Sequence, residues 1–338
     1  MNKYENILLH MMSKWQPQIT DFCDLETEDG SCASVLKFNG IKSLMTRNDF
    51  EDLLDRMYLT LEPFLRRKGH QVQVLFRRDL DASERLNRMA ASQKATLDRL
   101  NLDLHDLLDE EVEKYAQYVY EEDTYFVLYS RPALLDRVEI QMDSENKGKL
   151  RKTYHLPDFS DGQNLLRPIS YLYERHEAFV AKFCDDLNSH QLGIDVERMD
   201  INSALREIKR TANRNGTHPT WKPIIPGNGV SPLWNESEDL DSAGKILYPK
   251  LPDQILNEPA TLGRKKDLNI PDDEFIRIGD RVYAPLVLTT PPTSNRETFN
   301  SLFNALNRAE TVQNGQRRAI PFSVSFLLEG DGMNIGTF

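Results

Sequence analysis

The sequence predicts an α/β fold of the α+β kind: mixed β-sheet from two hairpin–helix–strand units, with a large helical insertion. Three observations carry it. Ser34 to Arg78 reads strand, tight turn, helix, strand. A similar order returns from Phe275 to Leu328. Between them, starting at Leu80, lies a long run in which apolar residues recur at helical rather than strand spacing.

The elements follow in chain order. Tyr4 to Trp15 is an amphipathic helix candidate, with Tyr4, Leu8, Met11, Met12 and Trp15 on one face. These five are the candidate docking residues for a partner or a membrane surface; an arm packed on its own domain is the alternative. Only Lys3 and Lys14 are basic lysines here, too few for autonomous membrane binding. Ile19 to Leu25 reads as a strand, and Asp29-Gly30 as a hairpin turn. Ser34 to Phe38 alternates like a half-buried strand, and Asn39-Gly40 supplies turn chemistry. Thr46 sits where an N-cap belongs, with Asp49 three residues on. Phe50, Leu53, Leu54, Met57, Leu61, Phe64 and Leu65 then form one apolar stripe. Arg66, Arg67 and Lys68 make a basic last turn, Gly69 a stop, and Val72, Val74 and Phe76 a second strand. The helix stripe is expected to cover one face of the sheet.

Ser83 is the expected cap of the helical run. Leu86, Met89, Ala90, Gln93 and Leu97 make its apolar face, and Asn101 marks a joint. A second helix carries Leu104, Leu107, Leu108, Val112, Tyr115 and Val119, and Glu121-Glu122-Asp123 ends it. The apolar run Tyr125 to Tyr129 predicts a central strand. Arg131 to Gly162 is polar, mixed in charge and rich in turn residues, so a solvated stretch is expected. Ile169 to Leu187 is helical, with His176 on its apolar side as a hydrogen-bonded core histidine; Asp200 caps another helix carrying Ile201, Leu205 and Ile208. From Arg214 to Ile270 prolines puncture the chain and periodicity disappears. An extended segment anchored by Trp221 and Trp234, or partial disorder, is expected. Phe275 to Ile278 and Val282 to Ala284 then form a hairpin, which Pro285 confines to an edge or a bulge. A helix over Glu297 to Arg308 and a strand from Ile320 to Leu328 follow. The domain reading is therefore an arm at 1–16, a core with its helical insertion at 17–213, the proline-rich segment at 214–270, and the second unit at 271–338.

Composition narrows the function classes. A hydrophobic fraction of 39% and a charged fraction of 28% describe a folded chain with solvated connections. The net charge of −11 argues against a dedicated nucleic-acid binder. Three cysteines, Cys23, Cys32 and Cys184, make no disulfide framework. Cys23 and Cys32 can face each other across a hairpin, but two reduced, buried thiols are the favoured reading. No apolar run approaches the roughly 18–20 residues of a membrane span, and the N-terminus has no signal-peptide core. The expected compartment is the cytosol.

The search for chemistry returns little. There is no phosphate loop. Gly330-Asp331-Gly332 with Gly336 lacks both the lysine and the following helix that a phosphate cradle needs. No dinucleotide fingerprint, no zinc spacing and no nucleophile elbow occurs, and the seven histidines stand singly. The expectation is no catalytic, cofactor-binding or metal-binding residue. Arg264-Lys265-Lys266 and Arg77-Arg78 are short basic clusters, expected on the solvated surface.

Two stretches, Asp29 to Arg78 and Ile276 to Pro292, resemble the N-terminal domain of the cytoplasmic ATPases of type IV secretion systems, of the type IVB branch in particular. The order of elements agrees over most of the chain, but the proline-rich segment matches no family pattern. The resemblance implies a non-catalytic assembly and inner-membrane-docking domain, with the ATP- and Mg-dependent motor following residue 338. It implies a homo-oligomer, a hexameric ring in the full-length protein, and contact with other secretion ATPases and inner-membrane components. No nucleic acid is expected. The implied place is the bacterial cytoplasm, peripheral to the inner membrane. The rival readings are a stand-alone bacterial scaffold or adaptor, and an enzyme whose site follows no motif.

Overall fold

The computed structural model describes residues 24–26, 31–154 except 67, 81 and 117, and 171–225 except 214–216 and 219. It also describes 251–255, 260–263, 275–278, 281–283, 310–313, 316–329 and five helical positions between 301 and 308. The fold is a mixture of helix and sheet, as the patterning predicts. The chain forms two compact units. The first draws its described residues from Met1–Val72, Val127–Leu288 and Leu328–Asn334, the second from Gln73–Phe126 and Thr289–Leu327.

The opening hairpin is β1 (Asp24–Glu26) and β2 (Cys32–Ile41), antiparallel, with Leu25 opposite Ala33. The strand β2 departs from its expected form in two ways. It does not turn at Asn39-Gly40 but runs on to Ile41. Gly40, at φ +133°, sits at a register shift, so it serves as a bulge rather than a turn. Nor is it half-buried: Cys32 to Leu36 are buried without alternation, so both faces of the strand are covered there.

Helix α1 (Arg47–Leu65) opens with the expected cap. The Asp49 amide donates to the Thr46 hydroxyl at 3.3 Å, and the Thr46 amide donates to the Asp49 carboxylate at 2.9 Å. The Thr46 hydroxyl, which itself donates to that carboxylate, holds its pKa below the usual range. Leu53, Leu61 and Leu65 are buried, but Phe50 and Leu54 remain exposed, so the stripe is narrower than its spacing suggests. Gly69 follows at φ +102°, and its carbonyl accepts from the Arg131 amide at 2.8 Å.

Strands β3 (His70–Asp79) and β4 (Glu121–Ser130) are adjacent in a six-stranded sheet. Its order is β1-β2-β4-β3-β11 (β11 being Phe322–Glu329), with β5 (Ile194–Arg198) also paired to β2; β4 is thus central, as its apolar run predicts. Between β3 and β4 the chain forms α2 (Ser83–Leu100) and α3 (His105–Tyr115), separated at the expected joint. Ser83 is not the cap: it is the first helical residue, and Ala82 precedes it with no side chain to accept a hydrogen bond.

Helix α4 (Arg137–Tyr154) occupies much of the stretch expected to be turn-rich. Its start explains the difference. Glu139 N–H donates to the Asp136 carboxylate at 2.8 Å, and Asp136 N–H donates to Glu139 at 2.9 Å, a reciprocal capping box. Helix α5 (Tyr171–Asn188) supplies the main core of the first unit. Val180, Phe183 and Leu187 have no exposed surface, and Phe64 of α1 packs on Phe179 and Phe183 at 5.4 and 5.9 Å between ring centres.

Strand β5 (Ile194–Arg198) leads to α6 (Ile201–Ala212). Asp200 caps α6 as expected, accepting from the amides of Asn202 and Ser203 at 3.0 and 3.2 Å. The segment 214–270 is not wholly irregular: it contains α7 (Leu251–Ile255) and β6 (Ala260–Gly263). Trp221 anchors it as expected. It packs with Ile201, Leu205 and Ile225 while the Lys209 ammonium lies 5.0 Å from its ring. Lys209 also donates to the carbonyls of Gln254 and Ile255 at the end of α7, and burial lowers its pKa. Trp234 lies outside the described residues.

The expected late hairpin forms as β7 (Phe275–Ile278) and β8 (Arg281–Tyr283), joined by β6 into a three-stranded sheet. Residues 301, 304–306 and 308 are helical, within the helix expected over Glu297 to Arg308. A further hairpin, β9 (Glu310–Gln313) and β10 (Gln316–Ala319), precedes β11 (Phe322–Glu329), which lies beside β3 in the large sheet. That extra hairpin has no counterpart in the first unit of the predicted repeat. Among the described residues no helix is long and apolar enough to cross a membrane.

Candidate docking surface

The five residues singled out for docking, Tyr4, Leu8, Met11, Met12 and Trp15, lie outside the described residues, as does the basic cluster Arg264-Lys265-Lys266. The pair Arg77-Arg78 is described, and it is not solvated surface. Arg77 has no exposed area and Arg78 is 6% exposed. Successive residues of a strand point to opposite faces. Arg77 and Arg78 therefore reach opposite sides of β3, and the adjacent acids of β4 meet them there. Arg77 Nη2 donates to Asp123 Oδ2 at 2.7 Å, and its guanidinium lies 5.7 Å from the Tyr125 ring centre. Arg78 Nε donates to Glu122 at 2.8 Å, while the guanidinium lies 4.3 Å from the Tyr120 ring centre and 5.0 Å from that of Phe322. Both cations are occupied by the fold.

A second polar network lies in the first unit. Ser34 Oγ is 2.9 Å from His176 Nε2, and Ser130 Oγ is 2.9 Å from His176 Nδ1. His70 Nδ1 lies 3.4 Å beyond Ser130, and Arg198, held by Glu177, approaches Ser34 at 3.5 Å. A serine beside an imidazole is the pairing used for nucleophilic attack. Here Ser34, Ser130 and His176 each have no exposed area, so the pairing lies away from any surface a substrate touches. One imidazole satisfies a hydroxyl from β2 and another from β4, pinning α5 to the sheet. His176 is thus the hydrogen-bonded core histidine its position predicts. The sequence carried no sign of its serines, which lie 142 and 46 positions away.

The α2–α3 hairpin is built differently. Asn101 ends α2 in the left-handed region at φ 51°, and the Leu102 amide bonds back to the Leu97 carbonyl at 3.0 Å. One ion pair and one hydrogen bond tie the helices: Lys94 with Asp109, and His105 Nε2 with Asp98 at 2.9 Å. Its apolar interior is thin. Leu86, Leu97, Leu108 and Val112 are only half-buried, and Ala90 is the one residue of the two helices that is buried.

Its outer face holds the larger apolar groups. Leu104, Leu107, Glu111 and Tyr115 are separated by three, four and four residues, so they form one row along α3. Leu107 is 60% exposed and Tyr115 47%; Tyr118, just past the helix, is 74% exposed. The Glu111 carboxylate accepts from the Tyr115 hydroxyl and raises its pKa. Short helices draw most of their stability in water from packing an apolar face. This pair leaves such a face open.

Set against known families and against curated proteins, the chain finds no match in either comparison.

Proposed function

We propose that this chain is a non-catalytic assembly and docking domain, and that the outer face of α3 is a surface by which it docks. The observation that carries the reading is the open row Leu104, Leu107 and Tyr115 on a hairpin with so little interior of its own. Exposed apolar groups gathered on one face with polar groups among and around them mark interaction sites. The resemblance of Asp29 to Arg78 and Ile276 to Pro292 supplies the setting: the N-terminal domain of a type IV secretion ATPase, in the bacterial cytoplasm beside the inner membrane. In that setting the domain holds its machine partners and neighbouring protomers in a ring.

The reading is tested by the double variant Leu107→Ser/Tyr115→Ser in the native gene. Both positions are solvent-facing, so the protein should accumulate at the wild-type level with an unchanged unfolding midpoint. Protein export, or recovery of the intact machine by size-exclusion chromatography, should fall at least tenfold. Unchanged export and unchanged assembly would refute the reading.

A further inference from the structure

If the open face of α3 is a docking surface, the charges beside the apolar row bear on what docks there. Asp103, Asp106, Glu110 and Glu113 form a second row at spacings of three, four and three, parallel to the apolar one. Six carboxylates against one lysine give residues 103–118 a net charge of −5, nearly half of the chain's −11. Among the described residues none of the four carboxylates of this row has an ion-pair partner; Asp109, outside the row, is the one that engages Lys94. A second copy meeting this face with the same face would oppose like charges at close range, and an anionic lipid surface would be repelled in the same way. A purely apolar partner would desolvate the acidic row without supplying a counter-charge.

We infer that the occupant of this face is a basic amphipathic protein segment. It sets leucine-sized side chains on Leu107 and Tyr115 and a flanking row of lysine or arginine on Asp106 and Glu110. The helix is 11 residues long, about 16 Å, so the segment spans about three helical turns. The inference rests on the docking reading above and adds the chemistry of the partner.

The test is an unbiased selection of displayed peptides of roughly 20 residues on the full chain, with counter-selection on Leu107→Ser/Tyr115→Ser. The peptides that need the intact face are sequenced, and one is synthesised for anisotropy titration. They should be enriched in lysine and arginine alternating with apolar groups at helical spacing. The synthesised peptide should lose at least tenfold in affinity on Asp106→Asn/Glu110→Gln, and should weaken as salt is raised. Face-dependent peptides that are neutral or acidic, or indifferent to that charge removal, overturn the inference and leave the docking reading standing. If no selected peptide depends on the face, both fail. If sedimentation shows that the chain self-associates and that Leu107→Ser abolishes it, the occupant is a second copy and the inference is overturned.

Discussion

Replacing Asp123 by alanine should cost the second unit about 3–5 kcal/mol of stability, the usual consequence of removing one partner of a buried ion pair. Arg77 has no exposed area, and Asp123 lies 2.7 Å from its guanidinium. Without the carboxylate a cation stays desolvated in the sheet with its nearest counter-charge gone. Chemical unfolding followed by circular dichroism reads the shift in midpoint. The exposed pair Arg88–Glu84 is the control: Arg88→Ala should move the midpoint by no more than about 0.5 kcal/mol. The double variant Arg77→Met/Asp123→Leu should recover most of the loss, since an apolar pair of similar volume removes both desolvation penalties. An effect of Asp123→Ala no larger than that of Arg88→Ala would show that the pair is solvated.

The second large effect is expected at His176. Leucine there deprives the Ser34 and Ser130 hydroxyls of the imidazole nitrogens that each holds at 2.9 Å. Losing a buried hydroxyl's partner costs about 1–3 kcal/mol, so about 2–6 kcal/mol is at stake. Ser34 retains the approach of Arg198 at 3.5 Å and Ser130 that of His70 at 3.4 Å, which places the expected loss in the lower half of that range. The triple variant Ser34→Ala/Ser130→Ala/His176→Leu should be closer to wild type than His176→Leu alone, because no hydroxyl is then left without its imidazole. If the triple variant is the less stable of the two, the network does not act as a pin.

What the residues reveal in advance depends on how far apart the partners lie in sequence. The capping box of Thr46 and Asp49, the cap at Asp200 and the joint at Asn101 each depend on residues within a few positions, and each is present. The box of Asp136 and Glu139 is equally local and marks the start of α4, although the charge density around it reads as a solvated stretch. Arg77 and Asp123 lie 46 positions apart. Nothing in either neighbourhood announces the other, so the arginines read as surface and the acids as the end of a helix. Knowing that β3 and β4 pair supplies what was missing, because two adjacent cations opposite two adjacent anions then satisfy both faces of the sheet at once.

The docking face was hidden for another reason. Leu104, Leu107 and Tyr115 belong to an apolar helical pattern, and periodicity alone assigns every such row to a core. Only the fold shows that Leu108 and Val112 turn inward and Leu107 outward. The acidic row at Asp103, Asp106, Glu110 and Glu113 was visible as composition but had no meaning until the exposed apolar row was placed beside it.

Hydrogen exchange along α3 tests the central claim most directly. The amides of Asp106 to Tyr115 are compared in the chain alone and in the complex isolated from cells, with β4 as an internal reference. A hairpin that lacks its partner should open readily and exchange faster than the buried strand. In the complex, exchange along α3 should slow at least tenfold while β4 changes little. Exchange along α3 that is the same in the complex as in the chain alone would show that nothing covers this face, and would contradict the account.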